Sequence, residues 1–331
     1  MSLYRAETRR LAKRRFTRWL LLGSLLVLAA VAIGTAFSNQ RVGPDQIAAA
    51  KAQAESNYQE NLRFAAEERQ RCETNPAQYG GDCTQLYTPT REDFQYQYYM
   101  PSTFDFREKF GDMLTTLAAI LGLTAFVIGA SYVGAEWTSG GMMNLLLWRP
   151  QRLTVLSTKL VAFLAGLAVV SVVVAAVWTG AFALIADLRG TLDGMTAGAW
   201  QSVALTELRA IGLILAAGAI GFGLAAVGRH TALALGAAVA VIVVFQFGLY
   251  TVLSLAQAPF AEVWLLPTWM IAWMYKTITL QNNNSCDFSS TQGCRPEELT
   301  LTWPMSGGLM VLALVLVIGA AMWTMRSRDI T

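Results

Sequence analysis

Six uncharged, strongly apolar runs constrain this chain more than any other feature of its 331 residues. They occupy 19–37, 113–135, 160–186, 210–228, 231–257 and 305–325. Each is close to or above the roughly 20 residues a helix needs to cross about 30 Å of hydrocarbon. Any one of them could be a buried helix of a large soluble core. Six near-continuous runs in one chain argue against that, and a composition of 54% apolar and only 14% charged residues agrees. The expected fold is an all-α integral membrane protein with six transmembrane helices. An N-terminal interfacial helix, an extracytoplasmic helical loop and a re-entrant segment between spans 5 and 6 complete it.

The first run follows Arg5, Arg9, Arg10, Lys13, Arg14, Arg15 and Arg18, a flank also found on signal peptides. Its apolar part is longer than a usual signal core, and Ala36-Phe37-Ser38-Asn39 is a poor small-residue cleavage site, so it reads as a retained anchor. Residues 1–18, with Leu3, Tyr4, Leu11 and Phe16 set among cations, suit a helix lying on the cytoplasmic membrane surface. A plain positive-inside flank accounts for the same charges.

Charge chooses the orientation. The segments before span 1, between spans 2 and 3 (136–159), at the 4–5 turn and after span 6 (326–331) hold 13 basic residues against three acids, Glu7, Glu136 and Asp329. Both termini are therefore predicted in the cytoplasm. The cysteines agree, because disulfides persist in oxidising compartments. Cys72 and Cys83 fall in the loop after span 1 (38–112), and Cys286 and Cys294 in the segment after span 5 (258–304). Two local bridges are expected among the three pairings that four cysteines allow. Their spacings fit no common zinc pattern.

In the first outer loop, residues 44–73 are rich in Ala, Glu, Gln and Arg and predict a helix. Ile47, Ala54, Tyr58, Leu62 and Ala65 would form one apolar stripe. The aromatic residues from Tyr87 to Phe106 suit a membrane interface. In the second, Phe260–Leu280 is apolar but broken at Pro267, which favours a re-entrant or interfacial helix pair over a seventh span. A further outer stretch, 187–209, joins spans 3 and 4.

The segment from Gly134 to Leu160 carries the chemistry. Glu136 closes span 2, Gly140 and Gly141 follow, and Met142-Met143-Asn144-Leu145-Leu146-Leu147-Trp148 makes a short apolar helix ended by Arg149-Pro150. Beside Arg149, Arg152 and Lys159, so greasy a helix needs cover from either the inner leaflet or a groove on a soluble partner. Taken with the span pattern, Glu136, Gly140, Gly141, Leu145, Leu146, Pro150, Arg152 and Lys159 resemble the permeases of ABC-type-2 exporters. That resemblance implies that the inner-loop helix, Met142 and Trp148 included, inserts into a separate ABC ATPase subunit and couples to it. It also implies a second permease copy, a homodimer in the simplest case. The family often has Thr where Gly141 stands.

No GxxxxGK[ST] loop occurs, so this chain binds no nucleotide in the P-loop manner, and ATP and Mg are expected on the partner ATPase. Membrane lipids are expected partners and nucleic acid is not. Among intramembrane polar residues Gln246 stands out, as part of a substrate path or as a helix-to-helix hydrogen bond. His230 reads as a solvated turn residue. An intramembrane enzyme lacks support, since no paired acids, HExxH or Ser and His constellation is present. Two functions are carried forward: an ATP-driven exporter of a lipophilic or amphipathic substrate (lipid, peptide or drug), and an ABC-type complex that signals to or remodels the envelope.

Overall fold

The computed structural model describes residues 3–79, 83, 86–148, 151–282 and 296–327. In chain order its elements are α1 (Leu3–Lys13), α2 (Arg15–Ser38), α3 (Pro44–Thr74), β1 (Phe104–Asp105), α4 (Phe106–Thr138), α5 (Gly141–Trp148), α6 (Arg152–Arg189), β2 (Gly190–Thr191), α7 (Ala197–Gly228) and α8 (Thr231–Ala240). A π-helical stretch (Val241–Leu249) leads into α9 (Tyr250–Leu255), followed by α10 (Leu266–Tyr275), β3 (Thr277–Asn282), β4 (Glu297–Thr302) and α11 (Trp303–Ser327).

Six helices are long and apolar enough to cross a membrane: α2, α4, α6, α7, the continuous coil Thr231–Leu255 and α11. This is an all-α membrane protein. Several helices outrun their apolar runs, with α4 starting at Phe106 and α6 at Arg152. Hydropathy marks only the part matched to hydrocarbon, whereas a helix keeps satisfying its own backbone groups into the headgroup region and beyond.

The chain divides into two compact units. The larger comprises Met1–Val31, Arg107–Ala181 and Gly194–Thr331. Its helices meet through small residues, as packing in lipid favours. Gly221 of α7 lies against the main-chain carbonyl of Phe126 in α4, and Gly134 against the main chain of Thr231. Ala130, Ala225 and Ala234 form a buried cluster under Phe126 and Leu224. Gly221 and Ala225 thus serve contacts within the chain. The Phe163 ring lies between those of Tyr132 and Phe222, with centroids 6.0 and 6.2 Å away. At the turn between α7 and α8 the imidazole Nδ1 of His230 caps α8 by accepting from the Ala232 N–H at 3.0 Å.

Between spans 5 and 6 the chain makes a short turn at Ala261–Trp264, then α10 with Pro267 in its first turn. Ten residues span only about 15 Å, too short to cross. Gln246 supplies an acceptor to this helix start, its Oε1 taking the Leu266 N–H at 3.0 Å. The sequence predicts no strand after α10. The structure has an antiparallel pair there, β3 with β4, in register from Thr277↔Thr302 to Asn282↔Glu297. Cys286 and Cys294 lie outside the described residues.

The smaller unit comprises Ala32–Phe106 and Phe182–Asp193. The stripe on α3 turns inward, with Ala54 buried and Ile47, Tyr58, Leu62 and Ala65 half-buried. Short 3-10 turns at Arg91–Phe94 and Tyr96–Tyr99 pack on α3. There Tyr58 meets Phe94 at 5.9 Å and Lys51 sits 5.3 Å over Tyr96. A disulfide joins Cys72 to Cys83. Two of the aromatic residues assigned to a membrane interface, Phe104 and Phe106, are instead buried, Phe104 against Phe182 at 5.3 Å. β1 pairs in parallel with β2.

Candidate functional site

The segment joining α4 to α6 is shaped first by one glycine. Gly140 takes φ +71°, which side chains with a Cβ rarely adopt, and lets the chain reverse after α4. Its carbonyl then accepts the Asn144 N–H at 3.1 Å, inside the first turn of α5. Every residue of α5 but Gly141 and Asn144 is large and apolar, so the sequence carries no period to say which side faces in. The fold decides. Met142 and Leu146, four residues apart, are buried within the chain, whereas Leu147 and Trp148 are 82% and 83% exposed. Leu145 is half-buried, and Met143 is exposed beside Leu147. Arg149 and Pro150 lie outside the described residues.

At the base of this segment the structure brings together Glu136 and Lys159 and adds Glu7, which the sequence marks only as an inner-side acid. The Lys159 side chain is 1% exposed. Its Nζ donates to Glu7 Oε2 at 2.8 Å and lies 2.7 Å from Glu136 Oε2, the latter without hydrogen-bond alignment. The Tyr132 hydroxyl donates to the same Glu7 Oε2 at 2.6 Å, and its ring lies 5.3 Å under the ammonium. Arg14 donates twice to the Ser131 carbonyl, each at 3.1 Å. A buried lysine is tolerable only with such partners. The cluster therefore ties three elements at one point: α1 through Glu7, the end of α4 through Tyr132 and Glu136, and the start of α6 through Lys159.

The functional consequence is a division of labour among the residues singled out from sequence. Glu136, Gly140, Lys159, Met142 and Leu146 hold the segment from inside. Leu147 and Trp148 face out. Arg152 lies at the first turn of α6. Gln246 is separate, holding α10 through Leu266. Glu7, Tyr132 and Arg14 were not singled out. The one available signal was Glu7 itself, the only acid in a segment holding seven cations. Among the described residues no group of His, Cys, Asp and Glu is arranged to hold a metal.

The fold and the segment described above coincide with a broad sequence likeness. A family model described as "ABC-2 family transporter protein" matches residues 2–326, nearly the whole chain. No curated protein matches the chain closely enough to serve as a relative. The chain belongs to the ABC-2 transporter family and is a multi-pass membrane permease component of an ABC transporter.

Proposed function

We propose that this permease is half of the membrane part of an ATP-driven exporter that moves a lipophilic or amphipathic molecule out of the cytoplasm or inner leaflet. The carrying observation is the outward face of α5. In a chain of this family, a short helix that buries Met142 and Leu146 but leaves Leu147 and Trp148 in the open has the form of a plug for a groove on the ATPase. Large exposed aromatic residues of this kind commonly supply most of the energy of an interface. The base of the plug is stiffened by Glu136 and Lys159, which act as positioning residues. Movement of the ATPase would thus reach α4, α6 and α1 together. In this reading both termini are cytoplasmic, a second copy completes the transmembrane unit, ATP and Mg stay on the ATPase, and Cys286 pairs with Cys294 outside.

The test is co-purification of the tagged permease with its ATPase, followed by ATP turnover in nanodiscs. Leu147→Asp places a charge in the contact and should weaken binding by several kcal/mol. Trp148→Ala should cost about 2 kcal/mol or more. Neither residue is buried in the chain's own core, so the permease should still insert and fold. Full ATPase binding and turnover in both variants would reduce α5 to a helix lying on the membrane.

A further inference from the structure

A groove of about 450 Å³ opens between α1, α2, α4 and α6, all within the larger unit. Its walls are apolar, with Leu11, Leu21, Ile128, Phe163, Leu167 and Val170 among them, and no carboxylate lines it. One wall residue is out of place in such a setting. Thr17 is only 6% exposed, and its hydroxyl has no hydrogen-bond partner. A buried, unpartnered hydroxyl calls for an acceptor from elsewhere. At the rim stands Arg18, held by its Nε donating to the Ala12 carbonyl at 2.8 Å and paired with no carboxylate among the described residues. Arg15, at the start of α2, is exposed, whereas Lys13, at the end of α1, lines a separate cleft with Glu136.

The charge of this rim is one-sided for a structural reason. The one acid of α1, Glu7, is turned inward onto Lys159, so the exposed side chains around the break are left cationic. An apolar slot, a polar group needing an acceptor at the slot's wall and a cation at its rim match three parts of one molecule: an acyl chain, an ester carbonyl and a phosphate. We infer that this groove holds one anionic phospholipid of the leaflet on which α1 lies, with an acyl chain against Leu167 and Phe163, the ester region at Thr17, and the phosphate at Arg18. The site does not depend on which molecule the transporter exports. Its effect would be to make the seating of α1, and through Glu7 the seating of α4 and α6, respond to the lipid composition of the membrane.

The experiment uses the full chain purified in detergent, titrated with phosphatidylglycerol or phosphatidylcholine of identical acyl chains and read by native mass spectrometry. One phosphatidylglycerol should be retained in preference to phosphatidylcholine. Arg18→Gln should cut that preference by roughly fivefold. Gly166→Leu should exclude both lipids by placing a side chain in the groove, which Gly166 lines. Thr17→Val, which keeps shape and folding, should weaken retention with the charges intact. Equal retention of the two lipids, displacement of phosphatidylglycerol by oleate at equal concentration, or unchanged retention in all three variants would each overturn the assignment.

Discussion

Two ion pairs in this chain use the same chemistry in opposite surroundings. Lys159 and Glu7 are 152 positions apart, 2.8 Å distant and almost wholly buried. Arg91 and Glu55 are 36 apart and 3.0 Å distant, with side chains 71% and 45% exposed. In the first case each charge has given up water, and only its partners, including the Tyr132 hydroxyl, stand in for it. In the second, water and salt compete with the contact throughout, and the Arg91 stack on Tyr58 at 5.2 Å matters as much as the charge. Their lengths barely differ, so environment rather than distance decides what the loss of a partner costs.

The comparison can be broken most directly at Lys159. Lys159→Met strands Glu7 and Glu136 and should lower stability in thermal unfolding by about 3–5 kcal/mol, while adding Glu7→Gln should return most of that loss. If the double variant is no better than the single one, the cluster does not behave as a coupled unit. Tyr132→Phe sharpens the same point with a smaller change. Removing the 2.6 Å donor to Glu7 should cost about 1–3 kcal/mol by the same assay. At the exposed pair, Arg91→Ala should cost at most about 1 kcal/mol, less at high salt.

The smallest effect is one of pH on the loop beside that pair. Asp93 accepts from the Thr90 N–H, the Tyr87 hydroxyl and the Thr90 hydroxyl, and these bonds hold its carboxyl below the usual carboxylate range. The same bond to Asp93 pushes the Tyr87 hydroxyl above its ordinary value. A depressed carboxyl stabilises the folded loop above its unfolded value near 3.8 and loses that contribution as pH falls through the lower folded one. The raised phenol contributes below about pH 10 and loses its share as pH rises through its folded value. Protection of the Thr90 and Asp93 amides, taken relative to their intrinsic exchange rates, should therefore fall below pH 3.8 in wild type, and Asp93→Asn should remove that dependence.

Much of the fold was readable because lipid makes simple demands. Six runs of sufficient length place six helices, and glycines after an acid place the turn before α5. The side of α5 that faces inward was not readable, because Leu145, Leu146 and Leu147 are chemically alike and only packing separates the buried Leu146 from the exposed Leu147. Glu7 was visible as an odd acid, but its partner at position 159 belongs to an element whose placement no local pattern reveals. The β3 and β4 pair left a weak period-two trace in Thr277-Ile278-Thr279-Leu280, masked by the tryptophan-rich stretch before it. Its connecting residues, like Arg149 and Pro150, fall outside the described structure.

The close approach at Gly221 has a consequence for heredity. Most positions in a protein are damaged by losing atoms, yet here the mildest of substitutions, one added carbon, is the harmful one. The obstacle is the Phe126 carbonyl, a main-chain group that every residue at 126 would carry. No exchange at position 126 can therefore restore a Gly221→Ala chain, and a selection for revertants would recover either glycine itself or changes elsewhere that let α4 and α7 stand further apart.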